Sequence, residues 1–160
     1  MKKLYVAKSK IEGKGIFSSE KIKKGEHIAF LEGELVRKKT HTVKEAASIP
    51  LWYGITETLW LDPKNSIWRY FNHSCEPNSA IVGRKKVIAL SSILPDTELT
   101  FDYSMSDGDL LWEMPCSCKT KSCRKKIHSI QRIPDKVYKS HLPYIPTFFK
   151  KLRNRKVLVT

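Results

Sequence analysis

The chain of 160 residues contains four cysteines, and their placement restricts the fold more than any other feature. Three fall within eight residues, Cys116-Ser117-Cys118-Lys119-Thr120-Lys121-Ser122-Cys123, and the fourth, Cys75, stands about forty residues upstream. A C-x-C-x4-C run closes poorly on itself as two disulfides, whereas thiolates at that spacing can point into one tetrahedron with zinc–sulfur distances of about 2.3 Å. The competing reading is free core cysteines, but Lys119, Lys121 and Arg124 flank the run with charge and make it a poor core segment. A zinc ion held by Cys75, Cys116, Cys118 and Cys123 would tie the region around Asn72 to the C-terminal part of the chain. Metal binding would then contribute directly to folding of that part.

Length and composition are those of one domain with a single core. No apolar run is longer than four or five residues, as in Ile28-Ala29-Phe30-Leu31 or Val87-Ile88-Ala89-Leu90, so neither a signal peptide nor a membrane span is expected. An intracellular, reducing compartment follows as the expectation, in which metal-bound thiols need no disulfides. The net charge of +14 is concentrated: residues 116–160 carry thirteen Lys and Arg against Asp135 alone. Asp96, Glu98, Asp102, Asp107, Asp109 and Glu113, by contrast, make a stretch with six acids and no base. That stretch is expected to draw a basic peptide, and the basic tail to meet nucleic acid phosphate or an acidic protein face; for both, the plain alternative is a solvated surface.

The pattern predicts a mainly β chain of several small sheets. Leu4–Ala7, His27–Leu31, Thr58–Leu61, Ala80–Val82, Val87–Leu90 and Leu99–Phe101 are short apolar or alternating runs bounded by Gly, Pro, Asn or Asp. Helix is expected only near the end. Pro134 can open a segment Asp135–His141 with Val137, Tyr138 and Leu142 on one side, and a second turn or two can restart at Pro146 with Phe148, Phe149 and Leu152 as an apolar patch.

Four segments carry a resemblance. Arg69-Tyr70-Phe71-Asn72-His73-Ser74-Cys75-Glu76-Pro77-Asn78-Ser79-Ala80 and Glu98-Leu99-Thr100-Phe101-Asp102-Tyr103 are similar to the two signatures of SET-domain lysine methyltransferases. Ser9-Lys10-Ile11-Glu12-Gly13-Lys14-Gly15-Ile16-Phe17, followed by Ile22-Lys23-Lys24-Gly25-Glu26, resembles that family's N-terminal strip, and Cys116 to Arg124 resembles its post-SET motif. The matches occur in the family's order and span about residues 4–127. The resemblance implies a SET domain at 1–113 with a threaded, knot-like crossing of the two signatures, a zinc-bound post-SET segment at 114–127 and a basic extension at 128–160 with short helices.

By the same resemblance the activity is S-adenosylmethionine-dependent methylation of lysine in a basic protein such as a histone or histone-like protein. The amine must react neutral although its ordinary pKa is about 10.4, so a narrow, dry, aromatic passage is required. Tyr70, Phe101, Tyr103 and Trp112 are the aromatics near the signatures. Tyr103 matches the tyrosine that orients donor and amine, and Phe101 matches the position where phenylalanine favours di- or trimethylation because no hydroxyl anchors a water there. Glu12, Gly13, Lys14, Gly15, Arg69, Asn72, His73, Tyr103 and Ile127 are the implied donor-binding residues.

Two positions depart from the family pattern. Leu31 stands where a second pocket tyrosine is usual, and Lys125 where a glycine usually follows the post-SET arginine. Leu31 and the basic tail support an alternative, a weakly active or inactive SET-like module that binds a basic peptide or nucleic acid. A third reading, a zinc-stabilised nucleic-acid-binding protein, is opposed by the intact Tyr103 and Asn72-His73.

Overall fold

The computed structural model of the chain describes residues 2–37, 52–56 and 58–154. Among these, twelve short strands form four small sheets, and two short helices close the described chain. The sheet that carries the site runs, in spatial order, Leu4–Lys8 (β1), Lys14–Ser18 (β2), Thr97–Phe101 (β10) and Asn72–His73 (β7). β1 and β2 form a hairpin whose turn is built by Ser9: its hydroxyl accepts the N–H groups of Ile11 and Glu12, and Gly13 supplies a φ of +50°.

β10 is the central element. Leu99, Thr100 and Phe101 are all buried, the pattern of a strand covered on both faces. One edge pairs antiparallel with β2, Leu99 against Ile16, and the other pairs parallel with β7, Thr100 against Asn72 and Phe101 against His73. Beyond β7 the first signature continues to satisfy β10 with side chains. Asn78 donates to the Glu98 carbonyl and accepts from the Thr100 N–H, while the Ser79 hydroxyl donates to the Thr100 carbonyl. The two signatures therefore lie against each other because each meets the other's backbone hydrogen-bonding groups.

His27–Phe30 (β3), Lys86–Ala89 (β9) and Ser79–Val82 (β8) make a second sheet, and Glu34–Arg37 (β4), Leu59–Asp62 (β6) and Tyr53–Gly54 (β5) a third. Glu113–Pro115 (β11) pairs with Lys126–His128 (β12). One core gathers residues from every sheet, among them Ile16, Ile28, Leu31, Leu61, Phe71, Val87, Leu99 and Ile127. A smaller core of Ile130, Ile133, Ile145, Phe149 and Leu152 joins the C-terminal helices, α1 (Asp135–His141) and α2 (Thr147–Arg153), to the segments that flank them.

Each of the six strand segments expected from the sequence overlaps an observed strand. The strands not expected are β2, β4, β5, β7, β11 and β12, of two to five residues each. On α1 the expected face is rotated: His141 is buried and Leu142 exposed. Positions 134, 137, 138 and 141 share the i, i+3, i+4, i+7 stripe, so His141 falls inside it and Leu142 becomes the C-terminal cap residue.

Candidate active site

A cavity of about 310 Å³ opens beside the meeting point of the two signatures, lined by Glu12, Asn72, His73, Tyr103, Cys116 and Ile127 among others. Asn72, at the start of β7, reaches across to the β1–β2 turn, where its amide donates to the carbonyls of Glu12 and Lys14 and to Glu98 Oε1 at 2.7 Å. Ser9 donates to the same carboxylate at 2.9 Å. Gly15 is needed here for close approach, since a Cβ on it would lie 2.2 Å from Glu98 Oε1. The Glu12-Gly13-Lys14-Gly15 turn is thus fastened to the first signature through Asn72 and Glu98. Ile127, brought by β12, is fully buried and lines the same cavity. Arg69 does not join: it is exposed and lies over the Tyr70 ring, 5.6 Å from its centroid.

Tyr103 forms the boundary between this cavity and a buried aromatic group. Its ring lies 4.9 Å from Phe101, which in turn lies 4.6 Å from Phe71 and 5.5 Å from Tyr53. The Tyr103 hydroxyl donates to the Phe71 carbonyl at 2.9 Å, and that of Tyr53 to the Trp68 carbonyl. Burial pushes both phenols well above their usual pKa, so each remains a hydrogen-bond donor and neither is a base at neutral pH. Tyr53 was not legible as a site residue. It sits on a two-residue strand in the stretch before the first signature, with no motif around it. Leu31, the departure noted in the sequence, is fully buried in the same core that holds Tyr53, Phe71, Phe101 and Tyr103.

Asp102, next to Tyr103, caps the 3-10 turn Tyr103–Met105 by accepting the Ser104 N–H, and receives Arg124 Nη2 at 2.7 Å. His73 is held near a pKa of about 4, chiefly by burial, with Arg124 adding to the effect and Asp102 opposing it. Its Nδ1 accepts the Tyr103 N–H, so the proton of the neutral ring belongs on Nε2, which lies 3.3 Å from Cys75 Sγ.

The cysteines converge. Ligand atoms of His73, Cys75, Cys116 and Cys118 all lie within 4.8 Å of one another, while Cys123 approaches with its sulfur 4.0 Å from the Cys116 carbonyl oxygen. Sulfurs of Cys75 and Cys116 are 3.7 Å apart, matching the edge of about 3.8 Å that zinc–sulfur bonds of about 2.3 Å give a tetrahedron. Burial and neighbouring thiols raise Cys116, and burial also opposes ionisation of Cys118, yet hydrogen bonds from Thr120 and its neighbours bring Cys118 down to about 6. The Arg124 N–H donates to Cys75 Sγ, the kind of outer support a thiolate ligand needs. Lys125, in place of a glycine, adopts a φ of +64°, in the left-handed region that favours glycine.

In the acidic stretch from Asp96 to Glu113, expected to draw a basic peptide, the carboxylates are engaged within the chain. Asp96 accepts the Tyr5 hydroxyl, Glu98 and Asp102 are bonded as above, and Glu113 pairs with Lys126 and Arg132. Asp107 and Asp109 accept backbone N–H groups of their own loop. Apart from the exposed Asp96, these carboxylates turn inward, against bases or onto backbone N–H groups, which charge counting along the sequence cannot register.

A model of the SET domain matches residues 13–104. The chain is 34% identical over 137 residues to the histone-lysine N-methyltransferase trithorax of Drosophila virilis, an alignment covering 77% of this chain and 4% of that protein. It is 31% identical over 139 residues to the H3 lysine-4 specific histone-lysine N-methyltransferase of Cryptococcus neoformans, covering 77% of this chain and 10% of that one. Its fold is similar to a humanized mutant of the Chaetomium thermophilum Polycomb Repressive Complex 2 bound to an inhibitor, at 25% identity and a TM-score of 0.55, over 66% of this chain and 15% of that one. The likeness extends to that complex in an autoinhibited conformation bound to S-adenosylmethionine, at 25% identity and a TM-score of 0.54, again over 66% and 15%. The chain spans a small fraction of the length of these relatives. With the family match running from the β1–β2 turn past Tyr103, the chain belongs to the SET-domain family.

Proposed function

We propose that this protein is an S-adenosylmethionine-dependent protein-lysine N-methyltransferase that carries lysine in a basic, histone-like protein to the di- or trimethylated state. The observation that carries this reading is the position of Tyr103, whose ring is at once a wall of the open cavity and a member of the buried aromatic group. A donor on one side and an amine on the other would meet at that residue.

The cavity fits such a donor in size, at the low end of the roughly 300–1,000 Å³ of small-molecule sites, and in kind, with polar groups on the Glu12 and Asn72 side and Met114 and Ile127 on the apolar side. In this reading the Glu12–Gly15 turn, Asn72, His73, Tyr103 and Ile127 hold the donor, and Arg69, exposed over Tyr70, has no part in it. When bound, the donor supplies an electrophilic methyl on a sulfonium. Tyr53, Phe71, Phe101 and Tyr103 surround the amine with apolar ring surface, disfavour its ammonium form and exclude water. The lysine nitrogen gives its lone pair to the methyl carbon as the carbon–sulfur bond breaks, and the proton on nitrogen leaves to solvent. The Tyr103 hydroxyl and the Phe71 carbonyl it touches orient the reacting centre; no covalent intermediate is needed.

The weakly active alternative drew on Leu31. Its burial in the main core, with Tyr53 contributing a second phenol beside Phe101, supports a pocket completed from another strand. We further assign one structural zinc to Cys75, Cys116, Cys118 and Cys123. His73 is better placed as the hydrogen-bond donor to Cys75 than as a ligand, because its Nε2 carries the proton. This division leaves 1–113 as the SET domain, 114–127 as the post-SET segment and 128–160 as the extension. An intracellular, chromatin-like setting and contact of the basic tail with nucleic acid belong to the same proposal. Incubation with labelled donor and a panel of histones, ribosomal proteins and DNA-binding proteins tests it. Transfer to lysine supports the reading, and donor binding without transfer to any substrate returns the weakly active module.

A further inference from the structure

We propose that the C-terminal helix pair is a positioning element for the lysine pocket, with His141 acting on the Tyr103 turn through Asp102 and Phe149 bracing the Tyr53 strand. This inference rests on the methyltransferase reading for its kinetic consequences and on geometry alone for the coupling itself. The helices lie beyond the segment that matches the family model, which ends at residue 104.

His141 is 9% exposed, and its Nδ1 lies 2.9 Å from the Val137 carbonyl oxygen, which can only accept. Its Nε2 faces the other way, toward Asp102. That atom lies 3.9 Å from Asp102 Oδ2, on a carboxylate whose side chain is fully buried and whose Oδ2 has no hydrogen-bond partner among the described residues. At that separation the two atoms are too far apart for a direct hydrogen bond. Beside them is a void of about 10 Å³ bounded by Ser79, Phe101, Asp102, Met105, His141 and Tyr144. This is about the smallest space that admits one water, and a water there could bridge the two groups. The other oxygen of Asp102 receives the Ser104 N–H and Arg124, so His141 bears on the same carboxylate that caps the turn carrying Tyr103.

The second contact is apolar. Phe149 packs so closely on Gly54 that a Cβ there would stand 2.9 Å from its ring, and Leu152 seats on Gly108 in the same way at 2.5 Å. Gly54 is the neighbour of Tyr53 and is bonded through its N–H to the Ser106 carbonyl, immediately after the Tyr103 turn. The pair is itself stiffened by its own apolar core and by Arg153, which donates to the carbonyls of Ile130 and Gln131 and to Asp135. One rigid body thus touches both the strand and the turn that supply the pocket phenols.

The test uses the full chain with His141→Leu, His141→Gln and Phe149→Leu, and Lys136→Ala on the exposed face of α1 as control. In His141→Leu and Phe149→Leu, kcat should fall about tenfold while the donor KM stays within about twofold, the pattern of lost positioning at the reacting centre. His141→Gln, which keeps a polar group facing Asp102, should recover most of the loss. Independently of activity, fluorotyrosine-labelled protein should show shifted or broadened Tyr53 and Tyr103 signals and an unchanged Tyr5 signal. If wild type transfers no methyl, the methyltransferase reading fails and the fluorine spectra alone decide the coupling. Unchanged pocket-tyrosine signals in both His141→Leu and Phe149→Leu, or a lower Tm with unaltered kcat, would overturn the proposal; should His141→Leu not fold, Phe149→Leu and His141→Gln carry the same comparison.

Discussion

Substitution of Gly15 by alanine should weaken donor binding without touching any residue of the aromatic group. The new Cβ would lie 2.2 Å from Glu98 Oε1 and 2.6 Å from Cδ. Reaching ordinary contact requires the carboxylate to withdraw by about 1 Å, since Cβ contacts are rarely shorter than about 3.4 Å. Withdrawal breaks the bonds to Oε1 from Asn72 Nδ2 at 2.7 Å and from Ser9 Oγ at 2.9 Å. Hydrogen bonds to charged groups contribute about 1.5–3 kcal/mol each, and partial solvation here brings the combined loss to about 1–3 kcal/mol. Part of this appears as a lower Tm, by about 2–6 °C for a chain of this size. Part appears as a looser Glu12–Gly15 turn and a donor Kd raised about tenfold, to be read by isothermal titration. Glu98→Ala removes the obstacle together with the same bonds, so the double variant should be no worse than Glu98→Ala alone. Wild-type affinity and Tm in Gly15→Ala, or fully additive losses in the double variant, would refute the coupling of Gly15, Glu98 and Asn72.

The cysteine cluster should bind one zinc per chain, and Cys75→Ser or chelation should lower Tm by about 10 °C while the Glu76–Ser122 and Arg124–Asp102 contacts keep the segment near its place; metal analysis showing no zinc would remove the assignment. Phe101→Tyr should slow the second and third methyl additions about tenfold, because the added hydroxyl anchors a water where the next methyl must sit, as mass spectrometry of a single-lysine peptide over time would show. Asp107, whose carboxyl burial pushes up to about 7, favours its protonated form in the fold. Its contribution is therefore complete below about pH 4 and lost as pH rises through 7. Asp107→Asn should melt above wild type at pH 8, with the difference shrinking to nothing near pH 4, and an equal gap at both pH values would contradict this.

What the sequence made legible is what it encodes locally. Cysteine spacing, the two signatures and the Glu12–Gly15 strip all depend on short-range chemistry, and the Cys75, Cys116 and Cys118 sulfurs, Asn72 and Tyr103 meet at one place as that chemistry requires. Tyr53 was hidden because its role comes from a two-residue strand paired with β6, a tertiary fact that no period or motif announces. His141 was hidden by a helix of two turns, in which one misplaced residue changes the assigned face. The acidic stretch misled for the opposite reason: its charges are real, but Tyr5, Arg124, Lys126 and Arg132 reach them from distant parts of the chain. Lys125 shows the same limit, since its positive φ is set by the turn joining the cysteines to β12 and not by the residue itself.

The most direct measurement compares wild type and Tyr103→Phe for methyl transfer from labelled S-adenosylmethionine to a basic lysine-containing protein, with donor affinity measured on the same preparations. The change deletes one hydroxyl that donates to the Phe71 carbonyl and leaves the ring at the boundary of cavity and aromatic group. The account predicts transfer by wild type, a strong loss of turnover in Tyr103→Phe and donor affinity within a few-fold of wild type. Transfer by Tyr103→Phe at the wild-type rate would contradict it.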